Sequence, residues 1–357
     1  MDLQRRGFNL GQTPDLSQLN ESTANSSLDD WHAGKPVLIN SLCHSSLDSF
    51  AKQISTSEQL YLAILDGQEC DDIFNQPPYS DKLSPLFEPL GCIVNEGDNQ
   101  EIETLIFDAV NPDNPDEVLA DDLWVKASWL SFYEEDASLR FRFSFGVDFV
   151  EDVAADSNRQ HYAAKLTEAI FPESEIITNN QGLKESLNHI FSGSEFKFVE
   201  RIVYFNSPDG GAYLHHDRER GHAGVVYAQL TGQTFWLALT KQSLIGEISY
   251  FINACGKNGW PKTINEDTKA ELIKCSKSAE TLSDQLDSFA NTALIHLINE
   301  TSEFVQQLIN HGHWRYLKPG DVLLLPQESE QDCCWHSVFC LGEESGEALS
   351  FAIRRSE

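Results

Sequence analysis

The sequence predicts an α+β protein whose second half is rich in β-structure, and three observations carry that prediction. Short runs of β-branched and aromatic residues bounded by turn-forming pairs recur between Phe196 and Ile353. A long stretch from about Thr240 to His311 interrupts them with apolar residues at helical spacing. Two further helical patterns, residues 157 to 171 and 181 to 192, precede the first of those strands.

Taken in order, residues 1–35 are rich in Asn, Ser, Gln and Asp without periodicity and read as an extended N-terminal arm. Residues 36–120 read as an α/β region packed on a β-rich domain over 121–357. Its strand candidates are Lys35 to Asn40 (KPVLIN), Leu60 to Leu65 (LYLAIL) and Ile102 to Phe107 (IETLIF). Val125 to Tyr133 and Ser138 to Phe149 form a hairpin about Glu134-Glu135-Asp136-Ala137, with one buried, Phe-rich face. Arg140 and Arg142 share its other face, read as a solvated polar surface ahead of a contact to an acidic substrate. Phe196 to Asn206, Gly224 to Leu230 and Gln233 to Leu239 are strands, the last two joined at Thr231-Gly232. A Pro319-Gly320 turn feeds Val322 to Pro326. The insertion, 240–311, carries an amphipathic stripe (Leu294, Leu297, Ile298, Phe304, Val305, Leu308, Ile309), which serves either as a lid, the preferred reading, or as a homodimer contact.

The chemistry-bearing motif is Tyr213-Leu214-His215-His216-Asp217 read together with Cys334-Trp335-His336-Ser337-Val338. His215 and Asp217 are two residues apart and share a strand face, where a distant strand can deliver His336. Two imidazoles and one carboxylate on one side of a metal leave the opposite side open, the facial pattern of non-haem Fe(II) sites. His216 alternates to the other face, as packing or as support for the ligands. His222, His311 and His313 are read as ordinary polar residues.

With these motifs the sequence resembles the cupin-fold Fe(II)/2-oxoglutarate oxygenases. Ala228 to Leu237 (AQLTGQTFWL) is most similar to the strand pair that follows the first ligands in JmjC-type hydroxylases, and the Lys318-Pro319-Gly320-Asp321 turn and Trp335-His336-Ser337 are similar to that family's second half. The resemblance implies a double-stranded β-helix (cupin or jelly-roll) over roughly residues 195–357, with His215, Asp217 and His336 as Fe(II) ligands. It implies 2-oxoglutarate and O2 as co-substrates. The expected reaction is hydroxylation of an unactivated C–H bond in a small molecule, an amino acid or a peptide or protein side chain.

The sequence departs from the family at Thr234, where JmjC-type relatives usually place the lysine that holds the distal carboxylate of 2-oxoglutarate. Arg354 and Arg355 are the replacement candidates, because a guanidinium fork fits a carboxylate bidentately. Strand parity favours Arg354, which shares a face with the small residues Ser350 and Ala352. Arg201 or Arg142 are further sources of charge, and Tyr204, Tyr213 or Tyr227 of a hydroxyl. Trp236, with Tyr213, Tyr227, His216 and Arg142, is expected around the substrate. Two other readings stay open: a metal-binding cupin independent of 2-oxoglutarate, and a non-catalytic β-helix binding protein.

Composition narrows the partners. A formal net charge of −31, from 56 acidic against 25 basic residues, repels a phosphate backbone, so nucleic acid is not expected as a partner. No apolar run is long enough for a membrane span and the first residues lack a signal peptide's apolar segment, so a cytoplasmic location is expected. Eight cysteines without a C-x-x-C pair fit reduced thiols.

Overall fold

Two antiparallel β-sheets face each other between two helical layers in the computed structural model, which describes residues 1–16, 26–94, 101–131, 135–146, 155–218, 222–288, 290–329, 331 and 333–355. The chain opens with a hairpin, β1 (Asp2–Arg5) and β2 (Phe8–Gln12). It continues through β3 (Val37–Ile39), α1 (His44–Leu65), α2 (Cys70–Phe74) and α3 (Tyr79–Leu83) to the strands β4 (Phe87–Val94), β5 (Glu101–Asn111), β6 (Asn114–Trp129) and β7 (Leu139–Phe145). Helices α4 (Ser157–Ile170), α5 (Glu175–Thr178) and α6 (Gln181–Ile190) lead to β8 (Phe196–Asn206), β9 (Gly224–Gln229) and β10 (Gln233–Thr240). The insertion forms α7 (Lys241–Asn258), α8 (Glu266–Cys275), α9 (Ala279–Ser288), α10 (Thr292–Glu300) and α11 (Ser302–Asn310). It is followed by β11 (Trp314–Leu317), β12 (Val322–Pro326), β13 (Cys334–Leu341) and β14 (Gly346–Arg355).

The large sheet has the order β3-β12-β9-β14-β8-β7-β6-β5-β4 and the small one β11-β10-β13. Side-chain alternation sorts each strand of the large sheet between two cores. Val225 and Tyr227 of β9, Leu323 and Leu325 of β12 and Ala348 of β14 point between the sheets and meet Trp236, Ala238 and Val338 of the small sheet. Val226, Ala228, Leu349, Phe351 and Ile353 point the other way, into a core shared with the helices of the first half and with β5–β7. Both faces of β9, β12 and β14 are covered, which is why these strands read as unbroken apolar runs. Phe141 anchors the outer core with ring centroids 5.1 Å from Phe171 and 6.2 Å from Phe205. Truncating such a fully buried ring to Ala costs ~3–5 kcal/mol.

Three expectations are corrected. The N-terminal arm is a hairpin rather than an extended segment: Leu3 and Leu10 are buried in the core of the small sheet and the insertion. Strands of four and five residues are too short for their alternation to stand out in a polar composition. Residues 17–25 of that arm, like 132–134 and 147–149 of the expected β6–β7 hairpin, lie outside the described residues. Leu60 to Leu65 is the last part of α1 rather than a strand. Ile54, Ser57, Leu60, Tyr61 and Ile64 are its buried positions, a helical spacing that a six-residue window hides. The insertion packs on the outer face of the small sheet, where Leu244, Ile248, Leu297, Phe304 and Leu308 meet Phe235, Leu237, Trp335 and Phe339, so it is not a lid over the space between the sheets. No helix among the described residues is long and apolar enough to cross a membrane.

One buried acid pair sits in the outer core. Glu347 of β14 and Glu173 are 2% and 0% exposed, and Ser57 donates to Glu173. Burial pushes both carboxyls up, Glu347 well above its ordinary value with the facing Glu173 adding to the shift, so Glu347 keeps its proton at neutral pH. A raised folded-state value means that the native state binds the extra proton: stability is fully present below the unfolded carboxyl's value and is lost as pH rises above it. Glu347→Gln keeps a donor toward Glu173 and removes the titration. It is expected to raise the melting temperature at about pH 8, with little change near ~pH 4, and so to flatten the profile seen by thermal melts. An unchanged profile would contradict this account of the pair.

Candidate metal centre

The loop after β8 enters the space between the sheets at Gly211. Its φ is +131°, and a Cβ there would collide with the Val338 carbonyl, so only glycine lets the loop lie this close to β13. The Val338 amide donates to the Ala212 carbonyl at 3.0 Å. Two bonds then lock His215 to His336: His215 N donates to His336 O at 2.9 Å, and His336 N to His215 O at 2.8 Å. This isolated antiparallel bridge sets the two imidazoles side by side, with ring centroids 4.3 Å apart.

Each ring is held from behind. His215 Nδ1 faces the Tyr213 carbonyl at 2.6 Å, and His336 Nδ1 faces the Cys334 carbonyl at 3.4 Å. A carbonyl oxygen only accepts, so the ring proton sits on Nδ1 and the Nε2 lone pair points forward. Both Nε2 atoms face Asp217: His215 Nε2 lies 3.2 Å from Oδ1 and His336 Nε2 lies 3.3 Å from Oδ2. Two lone pairs against a carboxylate are mutually repulsive unless a cation lies between them, and the three ligand atoms are within 4.8 Å of one another. Nitrogen, nitrogen and carboxylate oxygen, with the ring orientation set by backbone carbonyls, fit a divalent transition metal. When no cation lies between them, protons on the imidazoles take its place, and His336 with the hydrogen bonds from both rings then holds the Asp217 carboxyl well below the usual range against the upward push of burial. For His215, burial lowers the value and Asp217 outweighs it, for a net rise. His336 is buried, whereas His215 and Asp217 are about a third exposed, toward the cavity.

That cavity, about 290 Å³, runs between the sheets from the His-Asp-His cluster to β7. Its floor follows cross-strand neighbours of the large sheet: Tyr227 on β9 faces Ser350 on β14, Ser350 faces Ile202 on β8, and Ile202 faces Arg142 on β7. In the adjacent row Tyr204 on β8 pairs with Arg140 on β7. At ~4.8 Å per strand, the arginines lie roughly 14 Å across the sheet from β9. Ser350 and Ala352 line the middle, where larger side chains would close the space.

Of the expected residues, His215, Asp217, His336, His216, Tyr204, Tyr227, Trp236 and Arg142 line the cavity. Trp236 stacks on His336 at 5.5 Å, and His216 packs on Trp335 at 5.0 Å. Arg142 pairs with Glu200 at 2.8 Å. Tyr213 supplies its carbonyl to His215, while its ring turns away beneath Arg5 and Arg6, each 4.7 Å from the centroid. Thr234 lies outside the cavity, buried in a closed network. Its hydroxyl donates to Gln229 Oε1 at 2.8 Å and accepts from Trp236 Nε1 at 2.9 Å, and Tyr227 and Asn206 extend the chain. Arg354 and Arg355 are not among the cavity residues either. Arg355 pairs with Glu328 and covers the Phe191 ring on the outer face. Arg201 is also on the outer face, over Phe351 and bonded to Gln160.

The sequence reading placed Arg140 on a solvated face, but the cavity takes that face. It also left His222 as an ordinary polar residue, whereas His222 is 4% exposed and on the cavity wall. His311 and His313 have a shared partner in Glu247, at 2.8 and 3.0 Å. Alternation tells which residues share a face and leaves open what covers that face, so only the packing of the second sheet distinguishes these roles.

No protein-family model matches the sequence, and no curated protein matches it. Among solved structures, the ribosomal oxygenase YcfD of Escherichia coli is similar over 61% of this chain and 32% of its own, at 12% identity and a TM-score of 0.24. Another YcfD structure is similar over 81% of this chain and 44% of its own, at 12% identity and a TM-score of 0.25. A third, in complex with cobalt and succinic acid, is similar over 49% and 29%, at 14% identity and a TM-score of 0.21. The matches span less than half the length of those chains, and similarity this low carries no weight for fold or function, which rest on the geometry above.

Asp217→Ala and His336→Ala are each expected to weaken divalent-metal binding by ~100-fold or more in anaerobic calorimetry. Thr234→Val is expected to leave that affinity unchanged while costing ~1–3 kcal/mol of stability, because it strands Gln229 and Trp236 polar atoms in the interior.

Proposed function

We propose that the protein is a non-haem Fe(II) oxygenase that uses 2-oxoglutarate, built on a double-stranded β-helix, and that it hydroxylates a C–H bond of a small molecule, an amino acid or a peptide side chain. The observation that carries the reading is the pair of backbone-pinned imidazoles whose Nε2 atoms converge on Asp217 at the wall of a cavity. Bound there, Fe(II) would couple O2 to the decarboxylation of 2-oxoglutarate to succinate and carbon dioxide, the second oxygen atom entering the substrate. His215, Asp217 and His336 would hold it on one side and leave the cavity side for ligands.

Arg140 is the residue proposed to hold the distal carboxylate of 2-oxoglutarate, in place of Arg354. Among the described residues, Arg140 and Arg142 are the basic side chains of Lys or Arg type on the cavity wall, both arginines, and Arg142 is already engaged by Glu200. Among the described residues Arg140 makes one side-chain hydrogen bond, from Nε to Ser128 Oγ at 2.9 Å, and its terminal nitrogens can form a fork for a carboxylate. Burial pushes the neighbouring Tyr204 hydroxyl up to about 12, so it remains protonated at neutral pH and can donate to the same carboxylate. Trp236 and Tyr227 wall the metal side with apolar surface and keep water from it.

A second reading, a metal-dependent oxygenase without 2-oxoglutarate, is favoured by one observation: Thr234 is closed off by Gln229 and Trp236 and offers nothing to a co-substrate. An anaerobic absorption titration with Fe(II) and then 2-oxoglutarate separates the two. The proposal expects a charge-transfer band that Arg140→Met shifts to on the order of 100-fold higher 2-oxoglutarate concentration, the loss of ~2–3 kcal/mol for a charge-assisted pair. Arg354→Met is expected to leave the titration unchanged. Stoichiometric iron with no band would sink the 2-oxoglutarate reading in favour of the second.

A further inference from the structure

We propose that Arg5 is a positioning residue of the metal centre, its guanidinium joining the backbone that delivers His215 to the strand that carries His336. The inference rests on the reading of His215, Asp217 and His336 as metal ligands and adds to it a residue that touches none of them. Arg5 is 1% exposed, at the end of β1. Its Nη1 donates to the Ala212 carbonyl at 2.8 Å and to Ser337 Oγ at 2.6 Å, and its Nη2 donates to the Asn299 carbonyl at 2.7 Å. Ala212 lies three residues before His215, and Ser337 directly follows His336. Ser337 Oγ in turn donates to the same Ala212 carbonyl at 3.2 Å. Asn299, on α10, accepts from the amide of Leu214, the residue before His215, at 2.6 Å.

One planar fork therefore reaches both sides of the His215–His336 bridge and the helix behind it. Its faces are covered by Tyr213 at 4.7 Å and Phe339 at 4.8 Å, and Tyr213 is the residue whose carbonyl fixes His215 Nδ1. Arg6 holds the same loop from further upstream, donating to the Gly211 carbonyl at 2.9 Å. A side chain that merely fastened a hairpin to the core would need no polar acceptors, and leucines 3 and 10 already do that fastening. Burying a guanidinium is expensive unless its donors are matched; Nε has no partner among the described residues, and two of the three acceptors that the terminal nitrogens find adjoin the histidine bridge. The rigid fork converts the hairpin's position into a fixed spacing between two strands. A ligand set must be held to within ~0.5 Å for tight binding, so loosening that spacing acts on metal affinity.

The test is anaerobic Co(II) binding by the full-length protein, read by visible d–d absorption, beside thermal melting of the metal-free protein. Arg5→Met, similar in length but without donors, is expected to bind Co(II) ~10–100-fold more weakly and with an altered d–d band, the range seen when residues that orient metal ligands are removed. Arg5→Lys, which reaches fewer acceptors, is expected to recover part of the affinity. Ser337→Ala keeps Arg5 and the hairpin and supplies the measurement if Arg5→Met does not fold: a several-fold weaker affinity is expected. Wild-type Co(II) affinity and spectrum in Ser337→Ala, and in Arg5→Met where it folds, would overturn the proposal however far the melting temperature drops. If the wild type binds no Co(II), or binds it equally well as His336→Ala, the metal reading itself falls and takes this proposal with it.

Discussion

The backbone bridge between His215 and His336 is the constraint on which the rest of the molecule depends. Its two hydrogen bonds, at 2.9 and 2.8 Å, extend the pairing of the loop after β8 with β13 that Val338 begins at Ala212, and they set both imidazoles on one side of the small sheet. The carbonyls of Tyr213 and Cys334, each two residues before its histidine, then fix the tautomers, so the same local backbone that places the rings also aims them. Asp217 completes the set because a two-residue step returns it to the same side. The remainder of the fold keeps those few residues in register.

Packing explains how a cavity survives in a molecule with four layers. On β14 the large side chains Leu349, Phe351 and Ile353 turn to the outer core, where Phe141, Phe143, Phe171 and Phe205 cluster, while Ala348, Ser350 and Ala352 face the space between the sheets. One group of polar side chains between the sheets is matched internally: Asn206, Tyr227, Gln229, Thr234 and Trp236 form one hydrogen-bonded chain. A matched network is rigid and offers no ready donor to a ligand. Charge for an anionic ligand is therefore available at the β7 end, where Arg140 and Arg142 stand, and not where the family resemblance would place a lysine.

Much of this was legible in the sequence, and what was not has physical causes. His215, Asp217 and His336 could be picked out from ligand chemistry and spacing, although His215 and Asp217 lie on a loop with one isolated bridge rather than on the strand the spacing suggested; the strands around them carry an unbroken apolar signal from being covered on both sides. Residues 60–65 were misread as a strand because β-branched and aromatic content was weighed over a window shorter than two helical turns. Arg140 and Arg142 were correctly placed on one face, but no periodicity says whether that face meets water or a second sheet. Arg5 was the least legible: its acceptors on Ala212 and Ser337 lie 207 and 332 residues away, contacts that only the closed fold creates.

The central claim is that two backbone-oriented imidazoles and one carboxylate hold a single divalent metal open to the cavity. Anomalous diffraction from crystals grown anaerobically with Fe(II) tests it most directly. The account predicts one iron peak within ~2.0–2.2 Å of Nε2 of His215, Nε2 of His336 and one oxygen of Asp217, with its remaining positions facing Trp236 and Tyr227. Iron bound instead at His311, Glu247 and His313, or no peak beside Asp217 at saturating Fe(II), would contradict it.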